Sequence, residues 1–273
     1  MPQKPLYSIA RIQEIMDEYG LKADKRFGQN FLIDANVLNK IIASAQITNN
    51  DLVLEVGPGL GVLSYELAKN AAKLVSIELD KRLIEVVNEN LAEFDNFEII
   101  NQDALDYDFK DLPKDSLLVA NLPYNVATPI IVNALESQRF KRLVFLVQKE
   151  VAQRLAALPA SKNYGALSLI VQYYGQVKKI ADVSPNSFFP APKVTSSIVR
   201  IDLKENLKPN PELFEFIHIA FKHRRKTLKK NLIMADYSPE QVLAAIEKLN
   251  LKSTVRAEEL SLEDFINLEQ ELA

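Results

Sequence analysis

The chain has 273 residues, of which 48% are hydrophobic and 25% charged, with a net charge of −3. These values fit a globular protein with room for a large domain and a small one, and they set aside disordered and fibrous classes. Cysteine is absent, which excludes disulfides, thiolate metal ligands and thiol nucleophiles, and only two histidines, His218 and His223, are present, so no metal site is expected.

In chain order, the start "MPQKPLYSIARIQEIMDEYG" carries no signal-type apolar core. No stretch approaches the roughly 18 uninterrupted apolar residues of a membrane span, so a soluble, cytoplasmic protein is expected. Strand-like runs then alternate with helical ones: "DLVLEVG" (51–57) before "VLSYELAKN", "AKLVSIELD" (72–80) before "KRLIEVVNENLAEF", then "FEIINQD" (97–103), "SLLVANLP" (116–123) and "RLVFLVQ" (142–148). Such alternation predicts an open α/β sheet of parallel strands joined by right-handed helical crossovers. "YGALSLIVQYYG" reads as a helix, and "QVKKIADVS" and "KVTSSIVRIDL" as two further strands. The charged, Pro-bearing link "KENLKPNP" (204–211) leads into "ELFEFIHIAFKH", "RRKTLKKNLIM", "SPEQVLAAIEKLN" and "SLEDFINLEQELA", all helical in pattern. A boundary near 205 follows, giving domains 1–204 and 205–273.

Three of the seven glycines, Gly57, Gly59 and Gly61, fall in "EVGPGLG" between the first strand and its helix. At the carboxyl end of a parallel strand, such a loop allows a tight turn and close approach of a ligand to the backbone. The dinucleotide pattern G-x-G-x-x-G would need glycine where Val62 stands, and Pro58 has no N–H to offer a pyrophosphate. Glu78, closing the second strand in "SIELD", suits the ribose hydroxyls of an adenosine cofactor, and Asp103 in "NQDAL" suits an adenine amino group. Each acid taken alone also fits a helix cap or a solvated position.

The fourth strand ends in Asn121-Leu122-Pro123-Tyr124. Pro123 fixes its own φ and holds Leu122 extended, so a carboxamide oxygen and backbone carbonyls form a stiff acceptor array beside an aromatic face. Its complement is a flat molecule with an exocyclic NH₂. Acceptors drawing on both N–H bonds favour a pyramidal nitrogen whose lone pair can attack an electrophile held at the glycine loop. The bland alternative is a strand-ending turn with a packed tyrosine. Further along, "FKHRRKTLKKNL" (221–232) carries Lys222, Arg224, Arg225, Lys226, Lys229 and Lys230 with no acid, which reads either as a phosphate-binding surface or as a solvated helix face.

"NLPY" together with "EVGPGLG", "IELD" and "QDAL" resembles the S-adenosylmethionine-dependent N6-adenine methyltransferases. With "KRFGQNFL" (25–32), "QKEVAQRL" (148–155), "FFPAPKVTSSIVR" (188–200) and "RRKTLKKNL" (224–232), the chain resembles the KsgA family of small-subunit ribosomal RNA adenine dimethyltransferases over residues 25 to 235. The resemblance implies a Rossmann-like methyltransferase sheet with a small C-terminal all-helical, RNA-binding domain. It implies S-adenosylmethionine held by Asn30, Leu32, Gly57, Gly59, Glu78, Asp103 and Asn121. Asn121, Leu122, Pro123 and Tyr124 would hold the target adenine, and Phe188 would cover its other face. The basic run, extended by Lys25 and Arg26, would bind phosphates of small-subunit ribosomal RNA in a pre-ribosomal particle, the protein acting as a monomer. Two alternatives remain: a non-catalytic assembly factor that binds RNA, and a large-subunit RNA methyltransferase conferring antibiotic resistance. DNA adenine methyltransferases usually carry Pro where Leu122 stands and need a larger target-recognition domain than ~70 residues.

Overall fold

In a computed structural model, which describes residues 4–24, 28–205 and 207–273, the expected alternation folds into one seven-stranded sheet and a set of helices. The chain divides into two compact units, Met1–Ala152 with Lys178–Glu205, and Gln153–Val177 with Asn206–Ala273. The second unit begins anew where the link at 204–211 was read. It also takes in residues 153–177, which the reading of 1–204 as one domain had placed in the first.

In the first unit, α1 (Ile9–Glu18) and β1 (Phe31–Leu32) precede α2 (Ala35–Ala45), β2 (Leu52–Val56), α3 (Val62–Asn70), β3 (Lys73–Glu78), α4 (Lys81–Asn90) and β4 (Phe97–Asn101). Then come β5 (Ser116–Asn121), α5 (Ala127–Ser137) and β6 (Phe140–Gln148); α6 (Lys149–Leu155) runs across the division, α7 (Ala166–Tyr174) belongs to the second unit, and β7 (Gly175–Val183), which begins there, is followed by β8 (Phe188–Phe189) and β9 (Ser196–Leu203) in the first. The sheet order is β4-β3-β2-β5-β6-β9-β7. The first five strands are parallel, while β9 runs antiparallel to β6 with Gln148 opposite Ser196. The apolar runs are continuous because helices cover both faces of the parallel strands: Val53 and Leu54 are fully buried, as are Leu117 and Val119.

The parallel register decides where function can sit. Val56 pairs with Ile77, Glu78 with Asn101 and Asn121 with Leu146, so the carboxyl ends of β2, β3, β4 and β5 share one edge. Over that edge, β1 pairs antiparallel with β8, Leu32 opposite Phe188 and Phe31 opposite Phe189. Because side chains alternate across a strand, Leu32 and Phe188 point together into the main core while Phe31 and Phe189 join a second cluster with Ile12, Ile15 and Leu60.

The second unit is held by rings: Phe216 and Phe221 lie 6.2 and 5.8 Å from Phe265, and Tyr164 lies 6.3 Å from Phe221. The basic segment is not one helix. Helix α8 (Pro211–Phe221) stops, residues 222–227 turn, and α9 (Leu228–Ile233) starts on a Thr227 cap; α10 (Pro239–Lys248) and α11 (Leu262–Leu272) follow. Buried Asn231 clasps that turn, donating from Nδ2 to the carbonyls of Ala220 (2.7 Å) and His223 (3.3 Å) and accepting at Oδ1 from the His223 N–H (3.2 Å). Asn231→Ala would strand these backbone groups, and we expect a loss of about 2 kcal/mol in denaturant unfolding monitored on the helical signal. An unchanged midpoint would show that water replaces the clasp.

Candidate active site

One cavity of the first unit lies at the shared carboxyl edge of β2, β3 and β5. It is lined by the residue 28–32 segment, the Gly57–Leu60 loop, Glu78 and the Asn121–Tyr124 turn. A second hollow, lined by Leu79, Asp103, Ala104 and Val126, adjoins it and shares Gly57, Glu78 and Pro123 with it. Asn30, Leu32, Gly57, Gly59, Glu78, Asp103, Asn121, Leu122, Pro123 and Tyr124, singled out from the sequence, therefore line these two adjoining hollows.

The loop after β2 is shaped by its glycines. Gly57 (φ +73°) donates its N–H to the Ile77 carbonyl at 2.9 Å, and a Cβ there would stand 3.6 Å from the Pro123 ring. At Gly59 (φ +61°) a Cβ would meet the Phe31 ring at 3.2 Å. Both positions combine a left-handed backbone with a near neighbour, so a side chain there would strain the loop and fill the cradle. Beyond it, Asp103 caps its own turn by accepting from the Leu105 N–H at 2.9 Å.

Asn121 joins two walls of the cavity. Its Nδ2 donates to the Asn30 carbonyl at 3.1 Å, and Asn30 Nδ2 donates to the Gly28 carbonyl at 2.9 Å. With the amide nitrogen committed, Oδ1 is the acceptor left to the cavity. The Leu122 N–H is tied to the Leu146 carbonyl (3.2 Å), so β5 carries its ladder up to the proline. The phenol of Tyr124 makes a 2.6 Å hydrogen bond with Ser196 Oγ.

Two carboxyls in the cavity are unusual. Glu78 accepts from the N–H groups of Asp80 (2.8 Å) and Gly59 (3.4 Å), yet burial pushes its pKa up to about 7. Glu55, fully buried on β2, accepts from Ser64 Oγ (2.6 Å) and Ser76 Oγ (2.8 Å), and burial lifts it likewise to about 7. A row of acid, glycine and amide groups with an apolar floor fits a ligand bearing hydroxyls and amines, as an adenosine cofactor does.

Three expectations need correction or comment. Phe188 is 2% exposed in the main core and does not line the cavity, because the strand alternation at Phe188-Phe189 turns its ring inward; the two-sided aromatic sandwich is not assembled. Arg224 is not simply part of a basic face, since its guanidinium pairs with Glu258 at 2.9 Å and also donates to the Lys162 carbonyl, all within the second unit. Lys25 and Arg26 lie outside the described residues. The sequence reading missed Gln29, whose Nε2 donates to Asp80 Oδ2 at 2.9 Å, and Asn101, whose Nδ2 donates to the Glu78 carbonyl at 2.7 Å. It also missed Glu55, although a charge within the apolar run "LVLEV" was a signal for a buried, partnered carboxyl.

A model of the family described as "Ribosomal RNA adenine dimethylase" matches residues 20–273. The chain is similar to the Ribosomal RNA small subunit methyltransferase A of Deinococcus radiodurans, 44% identical over 94% of this chain and 88% of that one. It is also similar to the protein of the same description from Clostridium botulinum strain Kyoto, 46% identical over 93% and 95%. Among solved structures, a dimethyladenosine transferase from Plasmodium falciparum superposes with a TM-score of 0.78 at 31% identity, covering 87% of this chain and 95% of that one. The 23S rRNA methyltransferase ErmE superposes with a TM-score of 0.72 at 25% identity, covering 89% and 99%.

The raised carboxyls make a prediction about pH. A carboxyl of native pKa about 7 and ordinary value 4.5 keeps a proton in the native state that the unfolded chain releases. Its contribution therefore favours folding at acid pH and is lost as pH rises from about 4.5 to 7. Glu55→Gln preserves an acceptor for both serines and cannot titrate. Its thermal midpoint should fall less than the parent's between about pH 5 and pH 8; parallel curves would remove Glu55 from this role.

Proposed function

Since the chain belongs to the ribosomal RNA adenine dimethylase family, we propose that it transfers methyl groups from S-adenosylmethionine to N6 of two adjacent adenines near the 3′ end of small-subunit (16S) ribosomal RNA. The observation that carries this reading is the stiff acceptor turn Asn121–Tyr124, which shares a cavity with the glycine loop and Glu78. When bound, S-adenosylmethionine supplies an electrophilic methyl carbon.

The residues divide the work. Glu78 accepts from the ribose hydroxyls, Asp103 from the adenine amine of the cofactor, and Gly57 and Gly59 leave room for its body. Asn30 and Leu32 close the pocket from the β1 side, with Asn30 locked to Asn121. The target base enters with its N6 hydrogens towards Asn121 Oδ1 and the Leu122 carbonyl, while Pro123 keeps that carbonyl fixed and the Tyr124 ring stacks on the base. Two accepted hydrogen bonds would draw the amine lone pair out of ring conjugation, so no prior deprotonation would be needed; the methyl–sulfur bond would break as the nitrogen–carbon bond formed, a neutral thioether would leave, and the amine would then shed one proton to solvent. The same acceptors serve the monomethylated amine with one hydrogen fewer.

RNA affinity comes from the helical unit, where Lys222, Arg225 and Lys230 are exposed and Lys226 and Lys229 half-buried. These side chains contact phosphates and position the RNA without reading its sequence. Work in ribosome biogenesis on a pre-ribosomal 30S particle, as a monomer in the cytoplasm, belongs to the same proposal. No helix among the described residues is long and apolar enough to cross a membrane. Small-subunit RNA is favoured over large-subunit RNA by the 44 and 46% identity to the small-subunit relatives, against 25% to ErmE.

The direct test is incubation with labelled S-adenosylmethionine and a mixture of small ribosomal subunits lacking the modification and unmodified large subunits, followed by mapping. Two neighbouring dimethyladenosines near the 3′ end are expected. Label on large-subunit RNA alone would move the substrate, and RNA binding without label would leave an assembly factor. Replacing Arg225, Lys229 and Lys230 with alanine should reduce the slope of log affinity against log salt by about two to three while leaving cofactor affinity unchanged. An unchanged slope would return the segment to plain solvation.

A further inference from the structure

Tyr124 is the aromatic ring next to the acceptor carbonyls, and with Phe188 turned into the core its orientation matters more. The phenol oxygen of a tyrosine lies on the Cβ–Cγ axis, so a hydrogen bond there leaves the turn of the ring about that axis untouched and instead limits the swing of the whole ring about Cα–Cβ. Holding the far end of the ring in one place therefore needs a partner at the phenol. That partner is Ser196, whose Oγ lies 2.6 Å from the phenol oxygen.

Ser196 itself cannot drift. It is the first residue of β9, fully buried, paired in register with Gln148, and the preceding Thr195 carbonyl accepts from the Lys149 N–H at 2.9 Å. A serine hydroxyl in that setting is costly unless it is bonded. Its neighbour Ser197 faces the opposite side of the strand and donates to Asp182 Oδ1 at 2.7 Å, so the two serines have separate partners. Burial raises the Tyr124 pKa from its ordinary 10, so the phenol keeps its proton at neutral pH and the hydroxyl pair persists.

We propose that Ser196 is a positioning residue for methyl transfer, pinning the far end of the Tyr124 ring so that the ring stays at the place where the target adenine stacks. The inference rests on the reading that Tyr124 stacks the base. It assigns the serine after "PAPKVT" a task in the chemistry of a turn more than 70 residues earlier. The pin acts on how often the bound base is aligned, so its loss lowers kcat more than it raises KM.

The test is steady-state methylation of undermethylated small subunits by the parent, Ser196→Ala, Ser196→Thr, Tyr124→Phe, Tyr124→Ala and the Ser196→Ala/Tyr124→Phe double variant, with cofactor affinity measured for each. Ser196→Ala and Tyr124→Phe should each lower kcat by about three- to tenfold, the range of one neutral hydrogen bond, with cofactor affinity unchanged. The double variant should be no slower than either single one, and Ser196→Thr should recover the parent kcat. Multiplying losses in the double variant, or parent kcat in Ser196→Ala while Tyr124→Ala is crippled, overturns the pin and leaves stacking intact. Parent activity in Tyr124→Ala overturns stacking, and the pin with it.

Discussion

The parallel hydrogen-bond register of β2 with β3 and β5 is the constraint on which the site depends. It places Gly57, Glu78 and Asn121 at one edge although they are 21 and 43 residues apart along the chain. Each strand ends in a residue whose chemistry differs from the apolar run behind it, and parallel pairing is what makes those endings neighbours. The amide of Asn121 then fastens the segment before β1 to this edge through the Asn30 carbonyl. One carboxamide thus closes the cavity with its nitrogen, and under the proposed function its oxygen would accept from the substrate.

The buried carboxyls show the cost of that arrangement. Glu55 and Glu78 sit where ionisation is disfavoured, and among the described residues neither is paired with a cation: Glu55 accepts from two serines, and Glu78 from backbone N–H groups, those of Asp80 and Gly59 among them. A ribose donating two hydroxyls to Glu78 would supply the stabilisation that the free site lacks, so cofactor affinity and the ionisation of Glu78 are linked. Asp80, two residues on, is instead drawn below its ordinary value by Arg82 and Gln29 and anchors the residue 28–32 segment. Of the two acids in "IELD", Asp80 serves the scaffold, and under the proposed function Glu78 would serve the ligand.

Much of this was legible in the sequence because it is written in local chemistry. Continuous apolar runs gave the parallel strands, and glycines, acids and "NLPY" at their ends gave the cavity. What was not legible depends on long-range pairing. Whether Phe188 or Phe189 faces the core is set by a two-residue pairing with residues some 157 positions away, and the motif alone cannot supply its direction. The turn at 222–227 was hidden by a basic composition that suits a helix, and its cause, the side chain of Asn231, lies within the following helix. Residues 153–177 were assigned by order along the chain, whereas their rings pack with those of α8.

Under the proposed function, the acceptor at the end of β5 activates the amine. Single-turnover methylation by Asn121→Ala, beside an independent measurement of its cofactor affinity, tests it most directly. Removing an acceptor that matters most as charge develops on nitrogen should slow transfer by ~100-fold or more, by analogy with loss of one oxyanion-hole contact, while cofactor affinity falls far less. Transfer at the parent rate would contradict the acceptor mechanism, even with the family assignment intact.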